Sequence, residues 1–326
     1  PGAELVGDLQ IATIGIDEAL LPDAPLLVDA DIVRQLLPAR PGNSNKGTFG
    51  KALLVAGSAN YVGAPALAAQ AAYRVGAGLV TVGAPAPVVA ALSGHLLEPT
   101  WLLLPHDMGV LAESAAPLIR QEMGRYQALL LGPGWGQETS TREMLLKLLE
   151  KAAALRNRRG AMGFMIGSSA EPRAESEPES RPLPPLVVDA DGLNLLSTVE
   201  SWWTLLPPKT VITPHPGEMA RLAKLEIADV QTQRLEITRR KAEEWKVVLL
   251  LKGAHTVVAD PDGRLAVLPF KTDALATAGT GDVLAGAITG LLAQGMAPFD
   301  AAVSGAYLHG LAGMQAAREL NSTRSV

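Results

Sequence analysis

From Lys51 onward, short apolar runs of strand length alternate with longer amphipathic segments. "ALLVAG" precedes "APALAAQAAYRVGAG", "LVTVGA" precedes "APVVAALSG", and "ALLLGPG" precedes "STREMLLKLLEKAAAL". The same beat returns with "PLVVDADG", "KTVITPHPGE" and "KVVLLLKG". Strands that are apolar throughout must bury both faces, and with helices between them they require a mostly parallel sheet covered on either side. Ligands of such sheets bind at the carboxyl ends of the strands, and each Gly-rich or polar cluster in these runs falls at such an end. Near the C-terminus "HTVVADPDGRLAVLP" reads as a hairpin joined through Asp-Pro-Asp-Gly, and helices are expected over 281–294 and 299–319.

With 48% apolar residues, the 326-residue chain can bury a large core as one large domain or two small ones. The formal net charge is −5 and the basic residues are scattered. One short cluster, Arg156, Arg158 and Arg159, reads as a solvated turn, so nothing suggests a nucleic-acid footprint. The chain has no cysteine, which excludes disulfides, thiolate metal sites and a cysteine nucleophile, and a cytoplasmic location is expected. The charge-free stretches on either side of Arg74 are interrupted by Gly, Pro, Asn and Gln, so they read as buried strand-turn-helix units and no membrane partner is expected. "GSSAEPRAESEPESRPLPP", residues 167–185, is rich in Pro, Ser and Glu and reads as a disordered surface insertion. The chain starts at Pro1 with no signal-like segment and is expected to be a piece of a longer protein.

"ATAGTGDVLAG", residues 276–286, sets Asp282 behind a Gly-Thr-Gly turn and ahead of a helix. Gly279, Thr280 and Gly281 can bring backbone N–H groups to an anion, and the helix start adds its positive dipole end. Asp282 is then either a first-turn acid that stabilises the helix or a base beside a transferring phosphoryl group. The turn is neither a P-loop nor a dinucleotide fingerprint, and "GPGWG", residues 132–136, lacks the third glycine of the latter.

"LLLKGAHT" ends a strand at Lys252 and Gly253, where a nucleotide could lie or where the lysine could simply be solvated. "VITPHPGE" fixes the backbone around His215 with two prolines and offers Glu218 as a helix-start acid. His215 has no metal-ligand spacing to a second donor. "VVDADGLNLL" carries Asp189, Asp191 and Asn194, which could orient a magnesium shell or a ribose, or cap a helix. "NKGTFGKALLVAGSANYVGAP" puts Asn45 and Lys46 before the first core strand and Gly63 and Ala64 after it, small residues that admit a flat ligand.

Taken in order, "NKGTFG", "GSANYVGAPALAAQAAYRVGAGLVTV", "GPGWG", "VVDADGLNLL", "TPHPGE", "LLLKGAHT" and "GTGDVLAG" resemble the NAD(P)H-hydrate dehydratase family, over about residues 45–315. The resemblance implies an α/β, ribokinase-like fold with a mostly parallel sheet. It also implies ADP-dependent dehydration of the S-form of NADHX or NADPHX to NADH or NADPH, with release of AMP and phosphate. Eukaryotic members use ATP. A kinase of the same fold, acting on a hydroxymethylpyrimidine or a thiazole, is the alternative.

On that resemblance Asp282 would be the base that activates the ring hydroxyl. Gly63, Ala64, Gly132 and His215 would hold the hydrated cofactor together with Asp282. Lys252, Gly253, Ala254, His255, Thr256 and Gly281 would bind ADP or AMP, with Gly279, Thr280, Asn194 and Glu218 as accessory residues. Mg2+ is expected, with no direct ligand assigned. Trp135 stands where the family often has a smaller aliphatic residue and is expected to alter the rim of the cofactor pocket. "PGAELVGDLQIATIGID", residues 1–17, resembles the last strand of an NAD(P)HX epimerase domain, with 18–44 as linker and lead-in and 45–320 as the dehydratase domain. A homo-oligomer, in family terms a tetramer, is expected.

Overall fold

The computed structural model describes residues 24–161 and 182–324. The expected epimerase remnant, 1–17, and the insertion as far as residue 181 lie outside the described residues. Twelve strands are found among them: β1 (Leu26–Leu27), β2 (Lys51–Val55), β3 (Leu79–Pro85), β4 (Thr100–Leu104), β5 (His106–Asp107), β6 (Val110–Leu111), β7 (Ala128–Leu131), β8 (Leu186–Val188), β9 (Thr210–Ile212), β10 (Val248–Leu251), β11 (Val257–Ala259) and β12 (Leu265–Val267). Ten of them form one sheet in the order β1-β12-β11-β10-β9-β8-β7-β2-β3-β4, while β5 and β6 make a separate hairpin. Within the large sheet β11 alone runs against its neighbours, as the arm of the expected hairpin with β12.

Alternate residues of the central strands feed two cores. Leu53 and Val55 of β2, with Leu129 and Leu131 of β7, face one core together with Trp135, Met144 and Leu148. Ala52, Leu54, Ala128 and Leu130 face the other, against Ala68, Ala72, Ile288 and Ala302. Both faces of each strand are apolar because helices cover both, which explains the uninterrupted apolar runs. The lead-in also joins this fold: β1 pairs with β12, and Val28 and Val33 are buried.

Three local readings change. Arg156, Arg158 and Arg159 lie in the helix Thr139–Ala161, not in a turn. The expected insertion runs too far at its C-terminal side, since Leu183 is buried in the core just ahead of β8. Trp135 does not border a pocket: it is fully buried, and its indole Nε1 donates to the Val55 carbonyl at 3.0 Å.

The chain runs outward from β2 through β3 to β4, then returns to the other side of β2 with β7 and runs outward again through β8, β9 and β10. The reversal puts a crevice at the carboxyl ends of β2 and β7. The loops leaving the two strands meet there, with Gly57 N donating to the Pro133 carbonyl at 2.8 Å. On one face of the sheet the helices Gly63–Arg74 and Thr280–Ala293 pack with almost no side chain between them. A Cβ added at Gly286 would sit 2.1 Å from the Ala68 carbonyl oxygen, and one at Gly290 would sit 2.7 Å from that of Ala72. This contact brings the first turns of the two helices to the same end of the sheet. Gly286→Val should therefore force the pair apart, lowering stability by about 1–3 kcal/mol. Thermal unfolding followed by circular dichroism would measure a melting temperature several degrees below that of the parent; an unchanged value would contradict the close approach.

Candidate active site

Three neighbouring strand ends build a buried charge network. Asp189 follows β8 and is 1% exposed. Its Oδ1 accepts from Thr213 Oγ1, just beyond β9, at 2.8 Å and from Lys252 Nζ, just beyond β10, also at 2.8 Å. Glu218 stands on the helix Pro216–Ala223 with Oε2 3.7 Å from the same ammonium. Lys252 is thus no solvated strand-end charge. Burial works against its ammonium, but Asp189 and Glu218 outweigh that effect and hold its pKa above the usual lysine value.

Glu218 is the helix-start acid that the sequence offers, and it also faces Lys252. Its Oε2 accepts from His215 N at 2.8 Å, while His215 Nδ1 accepts from Gly217 N at 3.0 Å and Glu218 N at 3.3 Å, a reciprocal capping box. Burial raises the Glu218 pKa to about 7, with Lys252 opposing and Asp189 reinforcing the shift. The His215 imidazole is held below its usual range by burial, then by the charges of Lys252 and Arg221.

The helix Thr280–Ala293 begins directly over this network. Gly279 takes a positive φ of 94° at the N-cap. A Cβ on Gly281 would lie 3.5 Å from Lys252 Nζ and 3.8 Å from Asp189 Oδ2. Asp282 lies in the first turn, and no hydrogen bond or ion pair holds its carboxylate among the described residues. Burial and the nearby Asp189 raise its pKa to about 6, against the pull of Lys252. A helix-capping acid would show a lowered value, so desolvation and like charge dominate here.

On the far side of Asp189 stands "GPGWG". Gly132 has φ 120°, and a Cβ there would fall 1.9 Å from the Asp189 carbonyl oxygen. Gly136 N donates to Asp191 Oδ2 at 2.9 Å, so Asp191 orders this loop rather than capping its own helix. Gly63 opens its helix facing free space, with nothing within 4 Å of an added Cβ. Ala64 is buried against Gly134. Gly63 and Gly132 thus stand at the carboxyl ends of β2 and β7, while His215 caps its helix beside Glu218.

A cavity of about 260 Å3 adjoins Lys252, bordered by Gly253, Ala254, Thr256, Thr280 and Gly281 and walled by Phe270 and Leu275. His255 is absent from its lining: the residue has φ 53° in the turn, and its Nδ1 lies 3.3 Å from the Leu268 carbonyl. Asn45 and Lys46 sit at the amino end of β2, away from this site, where the Lys46 carbonyl abuts Gly78. Among the described residues no group of three His, Asp or Glu side chains is arranged to hold a metal. Thr213 and His309 are parts of the site that motif reading passes over. His309 lies within the long helix Pro298–Glu319, where no strand-end signal marks it, and burial pushes its imidazole down to about 4.

Asp282 also makes a stability prediction. Its folded pKa of about 6 lies above the ordinary value of 3.8, so between these limits the native state binds more protons than the unfolded chain. Stability contributed by this group is then lost as pH rises through that window. Asp282→Asn should melt higher than the parent at pH 7, and the gap should close as the pH falls toward 4. A variant that melts lower at pH 7 would show that the carboxylate stabilises the fold instead.

The model of the NAD(P)H-hydrate dehydratase family matches residues 52–156 and 172–325. The bifunctional NAD(P)H-hydrate repair enzyme Nnr of Moorella thermoacetica is 40% identical over 323 residues, covering 98% of this chain and 55% of the relative. The ADP-dependent (S)-NAD(P)H-hydrate dehydratase of Neisseria meningitidis is 36% identical, over 84% of this chain and 79% of that protein. Among solved structures, a Bacillus subtilis ADP/ATP-dependent NAD(P)H-hydrate dehydratase co-crystallised with ATP and Mg2+ superposes with a TM-score of 0.71. It is 27% identical and covers 93% of each chain, in keeping with the expected ribokinase-like fold. The chain spans about half the length of the bifunctional relatives it matches.

Proposed function

Because the chain belongs to the NAD(P)H-hydrate dehydratase family, we propose that it catalyses the ADP-dependent dehydration of the S-hydrate of NADH or NADPH. The observation that carries this reading is the Asp282 carboxylate. It has no hydrogen bond or ion pair among the described residues, has a pKa near 6, and follows Gly281, which borders the Lys252 cavity. The nucleotide occupies the cavity and the hydrated nicotinamide the crevice, so the ring hydroxyl meets the terminal phosphoryl group at Asp282.

Asp282 takes the proton of the hydroxyl, whose oxygen attacks the terminal phosphorus of ADP. The bond to the bridging oxygen breaks and AMP leaves. The ring nitrogen's electron pair then expels the new phosphate from the carbon that carried the hydroxyl. Loss of a proton from the neighbouring carbon restores the double bond, giving NAD(P)H, AMP and phosphate. Backbone N–H groups of the Gly279–Gly281 turn, at the positive end of the helix dipole, face the transferred group. Lys252, pinned by Asp189, supplies a fixed positive charge without needing to move.

Mg2+ suits this site as a passenger on the nucleotide. It keeps most of its waters and binds phosphates with one or two carboxylates, and Asp189 and Glu218 are the acids placed to order that water shell. Bound there, the ion would neutralise charge on the phosphates. We read residues 45–320, with the lead-in strand β1 and the helix after it packed onto them, as the dehydrating unit, working in the cytoplasm as a homo-oligomer. Leu97, Leu103 and Met108, exposed by 85%, 58% and 90% near the β4 edge, support self-association.

Incubation with hydrated NADH and ADP or ATP, followed by reduced-nicotinamide absorbance, tests the reaction. Recovery of NADH with one equivalent of phosphate is expected. Accumulation of a stable phosphorylated product would favour a kinase, and no recovery with either nucleotide would sink the reading. Asp282→Asn should keep ADP affinity and lose turnover by at least about 100-fold. The parent's kcat/KM should rise with pH through about 6 and level off above it, since only the carboxylate form accepts the proton. A profile flat from pH 5 to 8 would remove Asp282 from the base role.

A further inference from the structure

The dinucleotide required by the proposed reaction carries a pyrophosphate, and the NADPH form adds a 2′-phosphate. Yet the residues expected to hold it, Gly63, Ala64, Gly132, His215 and Asp282, include no permanent cation. Lys252 is already engaged by Asp189 and Glu218. We infer that Arg221 is the phosphate-binding residue of the hydrated-cofactor site, set in place by Asn194. The inference rests on the functional reading above.

Arg221 stands in the last turn of the helix Pro216–Ala223, one turn beyond Glu218. Its Nε and Nη2 donate to Asn194 Oδ1 at 3.1 and 2.8 Å. Asn194 Nδ2 in turn lies 3.5 Å from Asp191 Oδ1, and Asp191 Oδ2 accepts from Gly136 N. The guanidinium is therefore tied through two side chains to the loop expected to hold the substrate.

The tether is neutral. A carboxylate in the place of Asn194 would fix the arginine equally well but cancel its charge, and among the described residues no carboxylate oxygen lies within 4.0 Å of Arg221. An oriented, uncancelled guanidinium is what phosphate recognition requires.

The remaining terminal nitrogen, Nη1, makes no hydrogen bond among the described residues, and the residue is exposed. A Cβ on Gly217 would meet His215 Cε1 at 2.9 Å and Arg221 Nη1 at 3.9 Å, so the imidazole and the guanidinium are neighbours over the bare Gly217 backbone. A cation in the last turn also favours the helix dipole. That role needs neither the paired bonds to Asn194 nor a free nitrogen beside His215.

Steady-state kinetics with the hydrates of NADH and of NADPH test the assignment, in the parent and in Arg221→Gln, Arg221→Lys and Asn194→Ala. For Arg221→Gln the KM of the hydrate should rise about 10- to 100-fold, the loss of a charge-assisted contact, with kcat and the KM for ADP nearly unchanged. Arg221→Lys should recover part of the loss, and Asn194→Ala should fall between the parent and Arg221→Gln. The parent's KM should also climb more steeply with salt than that of Arg221→Gln. An equal effect on both hydrates assigns the contact to the pyrophosphate, whereas an effect confined to the NADPH hydrate assigns it to the 2′-phosphate. An unchanged hydrate KM, or a loss in kcat alone, in an Arg221→Gln protein that melts like the parent overturns the inference and leaves the dehydratase reading standing. A parent inactive on both hydrates overturns that reading first. Should Arg221→Gln fail to fold, the Lys and Asn194→Ala variants decide by the same KM criterion.

Discussion

The ion pair between Lys252 and Asp189 organises the carboxyl edge of the sheet. Its partners come from strand ends that are adjacent in space and far apart in sequence, so it forms only when β8, β9 and β10 lie side by side in register. Removing both charges from water is expensive, and a buried pair is weak ground for claiming stability. What it supplies is position. The ammonium is fixed at 2.8 Å from one carboxylate and within 4 Å of another, with Gly281 of the turn before Asp282 packed above it.

The network is also unbalanced. Asp189, Glu218 and Asp282 all act on one buried cation, Lys252, and burial, reinforced by neighbouring carboxylates, raises two of the three, Glu218 to about 7 and Asp282 to about 6. An acid-rich pocket is an odd receptacle for a nucleotide unless positive charge arrives with it or is held at its edge. On the proposed reading the helix dipole over Gly279–Gly281 and magnesium on the phosphates are complementary answers for ADP, and the guanidinium of Arg221 for the hydrated cofactor. Burial, reinforced by the same excess of negative charge that would hinder binding, raises the Asp282 pKa to about 6, within reach of neutral pH.

Much of this was readable from residue order. Apolar runs bounded by Gly-rich clusters require buried parallel strands, and "DPDG" between two β-rich runs requires a turn, whichever protein contains them. The strand order was not readable, because the alternation of strand and helix does not say on which side of β2 the strand β7 returns. Without that order Lys252 looks like an ordinary surface lysine and Thr213 like any strand-end hydroxyl. Trp135 was misread because a large aromatic in a Gly-rich loop suggests a pocket rim, whereas its indole fills the space under the loop and donates to β2. Arg156, Arg158 and Arg159 were misread because a run of cations resembles a turn, although arginine is a good helix former. His309 lies within a helix whose small residues dominate the pattern, so nothing local marks it.

The backbone around Asp189 explains why the acid must be followed by an irregular step. Gly132 approaches its carbonyl so closely that no side chain fits, and the next residue, Ala190, is held at φ 50° and ψ −121°, a conformation costly for a residue with a Cβ. A regular turn would satisfy Ala190 but swing Asp191 away from Gly136 N, which its carboxylate accepts at 2.9 Å. That bond leads through Asn194 to Arg221 and joins the two loops that flank the crevice. Strain at Ala190 is therefore the structural cost of aiming the acids on either side of it in different directions: Asp189 inward to Lys252 beside the cavity, and Asp191 sideways to the Gly132–Gly136 loop.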